Sequence, residues 1–152
     1  MEKLNLPDFR HKIKLNETQH TIFDPIRKKH LKLTPEEWVR QNFVWYLTEI
    51  LCYPQGLLAI EMQLKLNQLV RRCDIVGYDR SGKPKLIVEC KASRVTITQK
   101  TFDQIATYNL KLKVDFLLVT NGLNHYCCLM DYENNSYKFI EEIPSFEQMI
   151  HH

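Results

Sequence analysis

Three residues on two neighbouring apolar segments carry the chemistry most legible in this chain: Asp74, Glu89 and Lys91. Asp74 lies in Arg71-Arg72-Cys73-Asp74-Ile75-Val76-Gly77-Tyr78. The other two lie in Lys85-Leu86-Ile87-Val88-Glu89-Cys90-Lys91, beyond the polar stretch Asp79-Arg80-Ser81-Gly82-Lys83-Pro84. Short arms rich in β-branched and aromatic residues on either side of turn residues predict an antiparallel hairpin. With Ser81-Gly82 at the centre of the turn, Arg80 opposes Lys83, Tyr78 opposes Lys85, Val76 opposes Ile87 and Asp74 opposes Glu89. Alternation along a strand then brings Asp74, Glu89 and Lys91 to one face, with Arg72 opposite Lys91. Like charges directly across a ladder are destabilising. A cation between the two carboxylates accounts for the arrangement, and an oxygen-only donor set suits Mg²⁺ or Mn²⁺ better than zinc.

The elements that must position this hairpin follow from periodicity. Thr34-Pro35-Glu36-Glu37 supplies a hydroxyl cap, a proline at the first helical position and a glutamate three residues after the cap. The helix it starts runs from about Pro35 to Cys52, with Val39, Phe43, Tyr46, Leu47 and Ile50 at helical spacing. Glu36 projects on the side of that stripe, whereas Glu37 points nearly away and is assigned as the capping-box partner. Glu36 is left as the acid without a structural role, although the helix dipole alone also favours an acid there.

Tyr53-Pro54-Gln55-Gly56 ends the helix. Leu57–Leu66 alternates as a strand, antiparallel to the Asp74 arm and joined to it through Asn67-Gln68. A second helix over about Thr98–Lys113 turns Phe102, Ile105, Tyr108 and Leu112 inward, with Gln104 and Tyr108 one turn apart. Val114–Thr120 is a buried strand, and its crossover from the Glu89 strand makes it parallel. Asn121-Gly122 and Asn134-Asn135 turn into strands over Leu123–Met130 and Tyr137–Ile140. Pro144–Ile150 is compatible with a short helix, and Phe9–Leu15 and Thr18–Phe23 with an N-terminal strand or hairpin. The expected class is α/β (α+β): a mixed sheet with helices packed on it.

The whole chain bounds the function. Its 152 residues fit one domain (1–152), and 44% hydrophobic with 26% charged residues is the balance of a soluble globular protein. No apolar run reaches the length of a membrane span, Met1–Arg10 lacks a signal-peptide core, and a cytoplasmic location is expected. Cys52, Cys73, Cys90, Cys127 and Cys128 show no CxxC pairing and read as buried thiols of a reducing compartment. The terminal His151-His152 pair is set aside. The net charge of +3 does not by itself demand nucleic acid. The basic residues nevertheless cluster at 27–30, at Arg71-Arg72, at Lys91 with Arg94 and at Lys111 with Lys113, runs that serve equally as solvated faces.

Asp74 followed by Glu89-Cys90-Lys91 on the next strand resembles the PD-(D/E)XK nuclease signature. The order helix, three strands, helix, strand is that superfamily's restriction-endonuclease-like core. Thr34-Pro35-Glu36-Glu37-Trp38-Val39-Arg40-Gln41, Arg72-Cys73-Asp74-Ile75-Val76, Val88-Glu89-Cys90-Lys91-Ala92, Gln104-Ile105-Ala106-Thr107-Tyr108-Asn109 and Thr120-Asn121-Gly122 are similar to the N-terminal nuclease domain of type I restriction enzyme R subunits, over about residues 24–142. The proline that often precedes the first acid of the superfamily is missing before Asp74.

The resemblance implies a Mg²⁺-dependent (or Mn²⁺-dependent) DNA endonuclease. Asp74, Glu89 and the backbone carbonyl of Cys90 would hold the ion, and Glu36 an outer water or a second ion. Lys91 would activate and orient the attacking water. Gln104 and Tyr108 match the family's QxxxY and would brace Lys91 or touch phosphate. Arg72, and outside the pocket Arg94 and Lys100, would neutralise phosphate. Plainer readings stand beside these: Lys91 as a salt-bridge partner of Glu89, Gln104 in a capping box with Thr101, Tyr108 as a core aromatic. The competing function is a non-catalytic nucleic-acid-binding or assembly module that keeps the fold. No GxxxxGK[ST] loop is present, so a motor or specificity subunit would be a separate partner, and a homodimer is the expected way to cut two strands.

Overall fold

The computed structural model describes residues 1–66 and 68–152, apart from the side chains of residues 64, 66, 69, 71, 108 and 111. A small antiparallel sheet of β1 (Leu15–Asn16), β2 (Thr21–Asp24) and β3 (Lys29–Lys32) comes first. Of the strand expected over Phe9–Leu15, only its last residue is extended. β3 arises within the basic run 27–32, because its pairing with β2 outweighs the run's polarity.

α1 (Pro35–Trp45) follows, then β4 (Leu58–Leu66), β5 (Leu69–Tyr78), β6 (Pro84–Cys90), α2 (Gln99–Leu112), β7 (Phe116–Thr120), β8 (His125–Asp131), β9 (Ser136–Ile140) and α3 (Phe146–Ile150). β4 to β9 form one six-stranded sheet in sequence order. Among the described strands only β6 and β7, joined through α2, run parallel, as a helical crossover requires. The architecture is the expected mixed sheet with helices on it.

The two helices cover opposite faces. Val39, Phe43 and Leu47 of α1 and its extension pack on Ile75, Leu86, Val88 and Leu118. Phe102, Ile105 and Ala106 of α2 pack on Val76, Ile87, Leu117 and Val119. β6 feeds both layers, which is why its residues 85–90 are all buried and its sequence is nearly continuously apolar. Phe43 is fully buried; truncation to Ala there costs about 3–5 kcal/mol.

Local chemistry departs from expectation at four places. Thr34 caps α1 by accepting the Glu37 N–H at 3.1 Å. The Glu37 carboxylate does not return to the cap, because two donors one turn on, Arg40 and Gln41, claim it. The α-helix gives way to a π-helical turn at Tyr46–Ile50 instead of continuing to Cys52. It closes with Cys52 at φ 63° and Tyr53 N–H donating to Leu47 O at 3.0 Å. α2 is capped by Thr98, which accepts the Thr101 N–H, so the cap lies three residues before the Thr101–Gln104 box.

The hairpin turn is longer than two residues. Asp79 Oδ1 accepts from Ser81 N, Ser81 Oγ and Lys83 N, a bulge forms at Gly77/Tyr78, and Tyr78 pairs with Pro84 rather than Lys85. The central register, Val76 opposite Ile87, is the expected one. Of the connector Asn67-Gln68, Asn67 lies outside the described residues. Cys73, Cys90, Cys127 and Cys128 are buried thiols, and Cys52 is exposed. Among the described residues no helix is long and apolar enough to cross a membrane.

Candidate active site

β5 and β6 place the acidic pair. Their ladder ends at Ile75 opposite Val88. One residue beyond, the Asp74 carboxylate takes the next amide: Cys90 N–H donates to Asp74 Oδ2 at 2.7 Å. The same carboxyl lies within hydrogen-bonding reach of Glu89, which is 6% exposed. Val88 and Cys90 point into the α1-side core and Ile87 into the α2-side core, so Glu89 shares the face of Ile87. Lys91 follows β6 directly. Its N–H is held by Thr120 O at 2.8 Å, and its charge is felt at both Asp74 and Glu36.

The first turn of α1 brings Glu36 to the same place. A cleft of about 400 Å³ is lined by Thr34, Glu36, Glu37 and Arg40 from the α1 end, Glu61 of β4, Asp74 of β5, and Ala92 and Arg94 beyond β6. Burial pushes the Asp74 carboxyl above the usual carboxylate range, against the hydrogen bonds with Cys90 N–H and Glu89 and the charges of Lys91 and Arg40. Glu36 is also raised, by partial burial and then by the negative charge of Asp74. Raised acids side by side mark a site short of positive charge.

The other expected residues are placed as follows. Arg94 is exposed and lines the cleft. Arg72 is 65% exposed, and its guanidinium donates to Glu61 Oε2 at 2.5 Å, so it stands beside the cleft in an ion pair. Lys100, in the first turn of α2, and Gln104 on that helix are exposed and are not part of the cleft wall. The side chain of Tyr108 lies outside the described residues. The Cys90 thiol is buried in the α1-side core and raised well above its ordinary pKa by that burial, which leaves the backbone as its only route to the site.

Sequence reasoning missed Glu61, Arg40 and Asp24. Glu61 sits at φ 50°, left-handed in the middle of a strand, opposite the point where the β4–β5 pairing skips Asp74. A glutamate in an alternating strand gives no sign of that. Arg40 did carry a sign: it lies between Val39 and Phe43 on an apolar helix, where a buried guanidinium demands acids. It is 3% exposed and bonded to Asp24 and Glu37.

The donor set fits a hard divalent ion. Two touching carboxylates with one raised pKa are relieved by a cation, and every available donor is oxygen. Among the described residues no three His, Cys, Asp or Glu side chains close into an all-protein cage; Mg²⁺ uses one or two carboxylates plus waters, and needs none.

The family model for the N terminus of the type I restriction enzyme R protein (HSDR_N) matches residues 35–144. No curated protein matches the chain. Among solved structures, a candidate nuclease of the DUF820 group from Anabaena variabilis is similar at 12% identity and TM-score 0.50, over 90% of this chain and 87% of that one. A fragment of a candidate HsdR subunit of a type I restriction enzyme from Vibrio vulnificus is similar at 19% identity and TM-score 0.43. That alignment takes in 62% of this chain and spans a fifth of the Vibrio chain, 20% of its length. On the family match, which covers the cleft acids Glu36, Glu61 and Asp74 together with Glu89 and Lys91, the chain belongs to the type I restriction enzyme R protein N-terminal family, with a restriction-endonuclease-like nuclease fold.

Proposed function

We propose that this domain hydrolyses phosphodiester bonds of DNA with the help of Mg²⁺ or Mn²⁺, as an endonuclease. The observation that carries the reading is the contact of Asp74 and Glu89 beside Cys90 N–H, with Lys91 and Glu36 in electrostatic reach. A purely binding surface for a polyanion gains nothing from paired acids. Asp74, Glu89 and the Cys90 carbonyl are the groups that would hold the ion, and Glu36 a water of its shell. A bound divalent ion supplies Lewis-acid stabilisation of the charge on the phosphate and a hydroxide near neutral pH.

This chain's residues do the rest. Lys91, half-buried and anchored through its backbone on Thr120, presents an ammonium that orients the attacking water toward phosphorus. The P–O bond to the leaving sugar oxygen breaks as the new P–O bond forms, and that oxygen takes up a proton from solvent. Arg94 on the cleft rim neutralises a flanking phosphate. Arg72, Lys100, Gln104 and Tyr108 keep their family-derived roles as phosphate contacts and braces. No GxxxxGK[ST] loop lies in these 152 residues, so movement along DNA is not a task of this domain. Cutting both strands calls for a second copy; light scattering at working concentration should give twice the chain mass, and a monomer mass removes the homodimer.

The test is incubation with plasmid, linear single-stranded DNA and RNA in Mg²⁺, Mn²⁺ or EDTA, beside Asp74→Ala and Lys91→Ala. Metal-dependent nicking lost in both variants is the expected result. No cleavage in any metal, or cleavage that survives both substitutions, would leave the alternative of a binding or assembly module. RNA cleavage without DNA cleavage would reassign the substrate.

A further inference from the structure

The region before the matched family segment is tied to both walls of the cleft at Asp24. Asp24, at the end of β2, has no exposed surface. Its Oδ1 accepts the N–H groups of Ile26 (2.9 Å) and Arg27 (3.1 Å). Its Oδ2 accepts Arg27 Nε (3.0 Å) and Arg40 Nη2 (2.8 Å). Each arginine then holds one acid of the cleft wall. Arg40 donates from Nε to Glu37 Oε2 at 3.2 Å, and from Nη2 to Glu37 Oε1. Arg27 donates from Nη1 to Glu61 Oε2 at 3.4 Å. The two walls of the cleft, the first turn of α1 and the left-handed residue of β4, are thus tied to the same carboxylate.

We propose that Asp24 is a positioning residue for the candidate active site, fixing Glu36 through Arg40 and Glu37 on one wall and Glu61 through Arg27 on the other. Stability alone is a weak account of such a network, since a buried ion network often contributes no more than well-packed apolar side chains would. Its charges also balance internally: Asp24, Glu37 and Glu61 against Arg27, Arg40 and Arg72. The acids lining the cleft outside that network are then Glu36 and Asp74, the groups a cation would meet. Arg40 lines the cleft while almost completely buried, so its place there is set by its acids and not by solvent.

This inference rests on the nuclease reading and is tested so that the two can fail separately. Asp24→Asn keeps the shape and removes the charge; Arg27→Gln cuts the link between Asp24 and Glu61, which Arg72 still holds, and serves if Asp24→Asn does not fold. Assayed well below their melting temperatures on nicked plasmid, both should lower kcat, by about tenfold and about threefold, with KM for DNA within twofold. Half-maximal Mg²⁺ should move upward severalfold. A merely structural role predicts a lower Tm with kcat, KM and metal dependence of the folded fraction unchanged, and that outcome overturns the proposal. If the wild type cuts nothing, the nuclease reading falls, and Mn²⁺ binding followed by the free-ion EPR signal decides the positioning role. Severalfold weaker Mn²⁺ binding in Asp24→Asn sustains it; equal binding, or none in the wild type, refutes it.

Discussion

Asp24 and Asp74 are both aspartates drawn out of water at strands, and the fold treats them in opposite ways. Burial works against the Asp24 carboxylate, yet Arg40 and the donors of Arg27 and Ile26 outweigh it and hold the group below its usual range. At Asp74 the same burial wins over the Cys90 N–H, a hydrogen bond with Glu89 and two more distant cations, and the group lies above its usual range. One acid is fully answered within 16 residues of helix and turn; the other is left short of positive charge. The contrast separates a carboxylate that holds structure together from one whose discomfort a ligand can relieve.

The comparison breaks most visibly at Asp24. Asp24→Ala strands two guanidinium groups and should cost about 3–5 kcal/mol in urea unfolding; a loss under about 1 kcal/mol would mean that Arg40 finds its compensation elsewhere. Asp74→Asn should go the other way in stability while cutting plasmid cleavage by about 10²-fold or more. Its Tm at neutral pH should rise, because the substitution removes a buried charge that the fold does not compensate. A fall in Tm contradicts the assignment of Asp74 as the unanswered acid.

Metal sharpens the same point. Mn²⁺ at 100 times its dissociation constant should add about 2.7 kcal/mol to wild-type stability and nothing to Asp74→Asn. Equal gains in both proteins would place the ion away from Asp74.

The pH profiles of the two variants should diverge. A lowered folded pKa at Asp24 means that its contribution is complete above about 3.8 and is lost as pH falls through the lower folded value. A raised folded pKa at Asp74 means that the folded state binds the extra proton, so stability declines as pH rises from about 3.8 through the folded value. The advantage of Asp74→Asn should therefore grow through that window and be complete above it, and the deficit of Asp24→Asn should shrink below it. Thermal melts between pH 3 and 7 give both curves. The smallest change is expected at Glu36→Gln, exposed at a helix start: stability within about 0.5 kcal/mol of wild type, measured by the same urea titration.

Much of this was legible in the residues, and the rest was hidden for identifiable reasons. The register that sets Asp74 beside Glu89 followed from alternation in two short arms, and Val76 opposite Ile87 bears it out. The turn was misjudged because one side chain, Asp79, organises three donors, which strand periodicity does not encode. Helical projection favours Glu36 over Glu37, yet both line the cleft, and the partner of Glu37 could not be named from a cap motif when Arg40 competes for it. Asp24 gave no local signal, since its main charge partner lies 16 positions away across a chain reversal. Long-range ion networks of this kind depend on tertiary placement, which no period of 2 or 3.6 reports.

The amide of Cys90 has a further use. Its acceptor is a carboxylate side chain where a neighbouring strand ordinarily offers a carbonyl. Its proton resonance should therefore lie downfield, as a charge-assisted bond of 2.7 Å dictates. Protonation of Asp74, arrival of a cation or a change at Arg40 would each alter the charge on that acceptor. One backbone signal, observable in an ¹⁵N spectrum without any substrate, is thus a built-in spectroscopic gauge of the state of the acid pair.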